Sequence, residues 1–522
     1  TLLHQRAQCV HRPSLTVPRH GIGVARQDDA TGLALTQCGE QVGLGLVGVP
    51  GEAAAHAQRL QFITDEMNEC QVGVGADGVH ANQGLREVKA AIRNHEVHFS
   101  RNCRCAHVTA KLPQPGYDSA TGDTMKVIDS IVTQAASVAA IRRDIHAHPE
   151  LCFEEVRTAD LVAQKLTEWG IPIHRGLGTT GVVGIVKSGT SNRAIGLRAD
   201  MDALPMQEFN TFAHASQNAG KMHACGHDGH TAMLLAAAQH FAKHRNFDGT
   251  VYLIFQPAEE GGGGAREMIK DGLFDKFPMD AVFGMHNWPG AQVGRFAVSA
   301  GPVMASANEF KITIRGKGGH AAMPHNSVDP VPVACQLVQA FQTIISRNIK
   351  PIDAGVISVT MIHAGEATNV IPDSCELQGT VRTFTLEVLD LIEARMKQMA
   401  EQISAAHDTQ CEFEFLRNYP PTINSPAEAE FARTVMASIV GQEQVDPQEP
   451  TMGAEDFAFM LQAKPGAYCF IANGDGAHRE MGHGGGPCML HNPSYDFNDD
   501  LIPLGATYWV RLAEAFLTKA PA

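Results

Sequence analysis

The chain has 522 residues, 44% of them hydrophobic and 19% charged, and a formal net charge of -15 at pH 7. That length exceeds what one hydrophobic core organises, and the acidic balance excludes the basic surfaces that nucleic acids and anionic membranes select. No apolar run approaches the ~20 residues that span a bilayer, and twelve cysteines without paired spacing read as reduced thiols of a cytoplasmic protein, not a disulfide framework.

Residues 1–124 carry only three aromatic side chains (Phe62, Phe99, Tyr117) and no clean strand or helix series. So little apolar pattern cannot offset the entropy of ordering the chain. This stretch is therefore expected to be a disordered or non-native extension upstream of an initiator at Met125, with an additional, loosely folded domain as the competing reading. From there Ile128, Ile131, Val132, Ala135, Val138 and Ile145 share one helical face, and Pro149 stops the helix. Strands are expected at 181–187, 194–197, 251–255 and 281–285, with a helix at 231–244. Alternating β and α segments predict an α/β sheet with helices on both faces. Over 310–415 the order changes to strand 310–314, helix 328–345, strands 355–362 and 376–381, helix 387–403 and strand 411–415. That β-α-β-β-α-β order is the ferredoxin-like unit. The domain reading is a catalytic α/β domain over 125–304 and 421–522, interrupted by an inserted α+β domain over 305–420.

Four stretches at strand ends or in loops carry ligand-type residues. They are Met222-His223-Ala224-Cys225-Gly226-His227-Asp228-Gly229-His230, Gln256-Pro257-Ala258-Glu259-Glu260, Gly284-Met285-His286-Asn287 and Leu490-His491-Asn492. Ligands of open α/β sheets gather at the carboxyl ends of strands. Thiolate and imidazole suit zinc-like ions. Of two adjacent carboxylates, one can bind metal while the other moves protons. Any single one of the 25 histidines is more often a surface or core residue. It is the convergence of four stretches that points to a metal site. His146 and His148 are expected to cap the end of the first helix rather than bind metal. Asp200 is expected to orient a ligand histidine from behind, and Asp202 reads equally well as structural.

The ordered motifs RADMDALP (198–205), MHACGHDGHT (222–231), QPAEEGGGGA (256–265), GMHNWP (284–289), GKGGHAAMPH (316–325), NVIPD (369–373), MGAEDF (452–457) and LHNPSYDFND (490–499) resemble the amidohydrolase branch of the M20 peptidase superfamily. That branch includes hippurate hydrolases, aminoacylases and plant auxin-conjugate hydrolases. The resemblance runs from about Met125 to the C-terminus and does not cover 1–124. It implies a dinuclear-metal catalytic domain with an inserted ferredoxin-like lid and dimerisation domain. It also implies two divalent metal ions per subunit (Mn, Zn, Co or Ni) held by Cys225, His227, Glu260, His286 and His491. Glu259 would be the general base and His320 the oxyanion-stabilising residue, often supplied by the partner subunit of a homodimer or higher homo-oligomer. Asn369 and Arg382 would hold the carboxylate of a small N-acyl amino acid, with hippurate-like substrates first. The residues alone would make Arg382 an ordinary surface ion pair. Two other readings stay open: a dipeptidase or carboxypeptidase using the same metals, and a non-catalytic metal- or amino-acid-binding protein.

Overall fold

The computed structural model describes residues 125–479 and 481–518, together with the backbone of two strands, Gly32–Cys38 and Gln41–Val47. The chain separates into two units, Thr1–Leu112 and Pro113–Ala522. In the first unit the two strands pair antiparallel, Leu33 opposite Leu46 and Leu35 opposite Leu44, so this stretch does contain strand pairing that its weak patterning did not announce. Its short alternation is interleaved with glycines, which dilute the period-two signal. The rest of the expectation for 1–124 lies outside the described residues.

The second unit is built on an eight-stranded mixed sheet. Its order is Val445–Asp446, Phe296–Ala297, Gly466–Ala472, Ala281–Trp288, Ala194–Asp200, Gly249–Gln256, Gly181–Ser188 and Ile173–Leu177. The four strands from Gly466–Ala472 to Gly249–Gln256 run parallel, and the two beyond Gly249–Gln256 turn antiparallel. Successive side chains enter opposite faces, as a pleated strand requires. Val251, Leu253 and Phe255 join one core with the helices Asp129–Ala147, His227–Lys243, Pro426–Val440 and Leu501–Phe516. Ile254 and Tyr252 join a second core under the helix Gly264–Lys270. The fold is thus α/β with helices on both faces.

A separate four-stranded antiparallel sheet has the order Gly355–Ala364, Ser374–Thr383, Ala307–Arg315, Gln410–Tyr419. The helices Pro330–Arg347 and Leu386–Ala406 fill its core with Val333, Leu337, Phe341, Ile392 and Met396 against Phe310, Ile312 and Leu377. Asp329 and Thr385 cap these helices by accepting from Val331 and Val388 N–H groups. Among the described residues no helix is long and apolar enough to cross a membrane, and the seven described cysteines are free thiols.

Two elements differ from expectation where they matter most. The helix expected from 231 begins at His227, and the strand expected to stop at 285 runs on to Trp288. His227, Asp228 and His230 therefore occupy a helical first turn, and His286 and Asn287 lie within a buried strand.

Candidate active site

The donors sit at the carboxyl ends of the parallel strands. Gly226, at φ 89°, lets the chain turn between Cys225 and the helix; a Cβ there would meet Asn287 Nδ2 at 2.3 Å and the Tyr495 hydroxyl at 2.5 Å. The strand Gly249–Gln256 ends in Pro257 and then turns through Ala258, so that Glu259 is buried and Glu260 half-buried. The loop before Leu501–Phe516 delivers His491, whose φ is 58°.

These residues converge. Cys225, His227 and His286 have donor atoms within 4.8 Å of one another, and so do Cys225, Glu260 and His491. Cys225 Sγ lies 3.3 Å from His286 Nε2. Glu260 Oε1 lies 3.4 Å from His491 Nε2 and 3.9 Å from His227 Nε2.

The other ring nitrogens are tied back. His227 Nδ1 faces Asp202 Oδ1 at 3.3 Å, and His286 Nδ1 donates to the Asn287 carbonyl at 2.6 Å. Both rings thus aim Nε2 into the cluster, the arrangement expected of ligating imidazoles. Asp202, whose role the sequence left open, orients His227. Asp200 instead accepts from His230 Nδ1 at 2.6 Å. His230 Nε2 accepts from the Asn287 backbone N–H at 2.9 Å, so both nitrogens of that ring are spent and it has no lone pair left for an ion.

The electrostatics ask for a cation. His227 Nε2 and Glu260 Oε1 are buried with no hydrogen-bond partner. Burial pushes the Cys225 thiol well above its ordinary range, reinforced by Glu260, Glu259 and Asp200. Burial does the same to Glu259, reinforced by Glu455, Glu260 and Asp456. Arg198 is the guanidinium within this acidic set. It donates to Asp200 at 2.6 Å, Glu455 at 2.8 Å, Asp456 at 3.1 Å and Gln256 at 2.8 Å. A thiol and carboxylates crowded out of water, with orphaned donor atoms facing one another, fit a divalent ion.

Glu259 offers an oxygen within 4.8 Å of the His227 and Glu260 donor atoms. Its Oε1 accepts from the Asp456 N–H at 3.4 Å, and its carbonyl accepts from the Tyr419 hydroxyl at 2.6 Å. His320 is exposed, on the short strand Gly319–His320 paired with Val370–Ile371. Asn369 is its neighbour across that ribbon, accepting from the Ala321 N–H at 3.0 Å. His320 enters no donor cluster among the described residues. Arg382 is half-buried on Ser374–Thr383, opposite Val356. Burial lowers its pKa, with Glu309 acting against that. The surface ion pair is not found for it among the described residues.

His146 departs from its expected role. It is buried between Asp228 at 2.9 Å and Glu208 at 3.2 Å instead of capping the helix. His148 does meet the helix end, through the Asp144 carbonyl at 2.8 Å. Sequence reasoning also missed Glu455, Asp456 and the Arg198 network. Their partners lie up to 258 positions away, beyond any local pattern.

Fold and donor set together describe a hydrolase-type α/β protein with a site suited to metal. The chain belongs to peptidase family M20/M25/M40, whose pattern matches residues 196–515. It is 41% identical over 394 residues to the hippurate hydrolase of Campylobacter jejuni subsp. jejuni, covering 75% of this chain and all of that one. It is 38% identical over 386 residues to thermostable carboxypeptidase 1 of Saccharolobus solfataricus, covering 73% and 95%. A solved Bacillus subtilis structure, described as a dinuclear metal binding peptidase from the M20 family, superimposes with a TM-score of 0.64 at 34% identity, covering 74% of this chain and 99% of that one.

Proposed function

We propose that this protein hydrolyses the amide bond of N-acyl amino acids, hippurate-like ones first, to a carboxylic acid and a free amino acid. One observation carries the reading. Glu259 and Glu260 leave a single turn in different directions, Glu260 toward His227 and His491, Glu259 toward the Asp456 N–H. Both keep an oxygen within 4.8 Å of a His227 nitrogen, so Glu260 can serve as a ligand with Glu259 beside it as the base. The likeness to a hippurate hydrolase along its whole length supports the substrate class.

Cys225, His227, Glu260, His286 and His491 would hold two divalent ions, manganese, zinc, cobalt or nickel, with Cys225 common to both donor triads. Such ions supply Lewis acidity to the scissile carbonyl and acidify the attacking water. Glu259 takes the proton of that water and returns it to the departing amine. His320 donates to the developing oxyanion. Because it stands on the exposed ribbon of the inserted domain, it reaches the donors by domain closure or from the neighbouring subunit of a homodimer. Asn369 and Arg382 grip the substrate carboxylate, the guanidinium bidentately. Residues 305–420 serve as the lid and dimerisation domain of the catalytic parts 125–304 and 421–522.

The test is a panel of N-benzoyl- and N-acetyl-amino acids against dipeptides, on protein stripped with chelator and reloaded with each of the four metals. Turnover of N-acyl amino acids that disappears on stripping is the expected result. Cleavage of dipeptides alone would replace the reading with the peptidase one, which the likeness to the thermostable carboxypeptidase favours.

A further inference from the structure

Five described residues other than glycine have a backbone φ in the left-handed region: Phe153 (63°), Thr179 (75°), Ala258 (54°), Asp408 (55°) and His491 (58°). Side-chain-bearing residues stay there only when their surroundings over-determine them. Three of the five border one buried carboxyl group. Glu155 Oε1 accepts from the backbone N–H of Phe153 at 3.0 Å and of Ala258 at 2.8 Å. Its Oε2 accepts from the hydroxyl of Thr180, the residue after Thr179, at 2.7 Å. Glu155 is fully buried, belongs to no donor cluster and has no part in the proposed chemistry.

Ala258 immediately precedes Glu259 and Glu260. The rest of that turn is held from other directions: Asp202 takes the Glu260 N–H at 2.9 Å and Tyr419 holds the Glu259 carbonyl. The Phe153 ring closes the underside. A Cβ on Gly262 would meet Phe153 Cε2 at 2.5 Å and the Ala258 Cβ at 2.8 Å, so ring, alanine and glycine are packed together. We infer that Glu155 is a positioning residue: it holds Ala258 in its left-handed turn and thereby aims Glu260 at the histidines and Glu259 at the reacting water. This rests on the proposed roles of Glu259 and Glu260.

The clamp needs an acceptor rather than a charge. Burial raises the Glu155 carboxyl to about 7, against the lowering effect of Thr180, and a protonated acid or an amide still offers one oxygen to both N–H groups. A second consequence is sharper. Alanine resists a left-handed φ and glycine does not, so glycine at 258 should relieve the need for the clamp.

Cobalt(II) titration and steady-state kinetics on hippurate test this. In Glu155→Leu, Co²⁺ affinity and kcat should each fall by about 10–100-fold, the usual effect of removing a group that orients a metal ligand, while KM changes little. Glu155→Gln should recover most of both. Ala258→Gly should raise Co²⁺ affinity far more in the Glu155→Leu protein than in wild type, a coupling that general loss of packing would not produce. Should Glu155→Leu fail to fold, Glu155→Asp, which withdraws the oxygen by one methylene, carries the same comparison. Folded Glu155 variants that bind Co²⁺ like wild type, or whose defect Ala258→Gly leaves untouched, would overturn the inference. Wild-type protein that binds Co²⁺ but cleaves no N-acyl amino acid overturns the substrate reading alone, because the cobalt comparison still reads the clamp.

Discussion

Asp202 Oδ1 lies 3.3 Å from His227 Nδ1, and the contact turns the imidazole so that Nε2 faces Glu260. The same carboxylate takes the Glu260 N–H through Oδ2 at 2.9 Å. One side chain thus sets the direction of two donors. Asp202→Ala should weaken divalent-metal affinity by about 10–100-fold with the fold retained. Asp200→Ala should weaken it less, because Asp200 is hydrogen-bonded to His230 instead. Equal affinities for wild type and Asp202→Ala, by isothermal titration with Mn²⁺ or Zn²⁺, would remove Asp202 from this role.

Glu259→Gln separates the base from the metal shell. The amide keeps the shape of the side chain and cannot take a proton from water. Metal content, by elemental analysis, should match wild type while kcat falls on the order of 10²–10⁴-fold, the usual worth of positioned proton transfer. Near-normal turnover in a fully loaded variant would show that the base is another group.

The two misjudged boundaries show where local pattern stops informing. The strand Ala281–Trp288 reads as apolar only as far as Met285, because His286 and Asn287 are polar residues in a buried strand. They are tolerated there because Asn287 Nδ2 donates to the Cys225 carbonyl and its Oδ1 accepts from Tyr495, 208 positions away. The helix starts at His227 instead of Thr231 for a related reason: its first turn carries Asp228 and His230, which resemble a loop until their buried partners Arg142, His146 and Asp200 are known. The alternation of strands and helices was readable, since each strand carries its own apolar run. The Arg198 network was not, because Glu455 and Asp456 reach it only through the folded chain.

His146 gives the protein a pH-dependent stability term. Burial disfavours its charge, but Asp228 and Glu208 outweigh that and raise its pKa to about 9, with the His214 and His223 rings nearby. A histidine raised above its unfolded value near 6.5 stabilises the fold fully below that pH. The contribution is lost as pH rises through about 9. The wild-type advantage over His146→Gln should therefore be on the order of a few kcal/mol at pH 6 and shrink by pH 10. Chemical denaturation at the two pH values measures it. An advantage that grew with pH would mean that His146 is neutral in the folded protein.

His320 gives the test of assembly. It is exposed on the ribbon formed by Gly319–His320 and Val370–Ile371, its Nδ1 accepting from the Ala322 N–H at 3.1 Å. Its Nε2 is therefore left to donate to something outside its own ribbon. A preorganised oxyanion donor is worth about 2.7–4 kcal/mol, so His320→Ala should lower kcat by roughly 10²–10³-fold at normal metal content. Mixing this variant with Glu259→Gln then decides which subunit His320 serves. If it acts across a dimer, half of the randomly mixed dimers are hybrid, and each hybrid has one site with both residues intact. Activity should return on subunit exchange toward about a quarter of wild type. Verified exchange without recovered activity would place His320 in its own subunit's site, reached by domain closure, or outside the chemistry altogether, and normal kcat in His320→Ala alone would select the second.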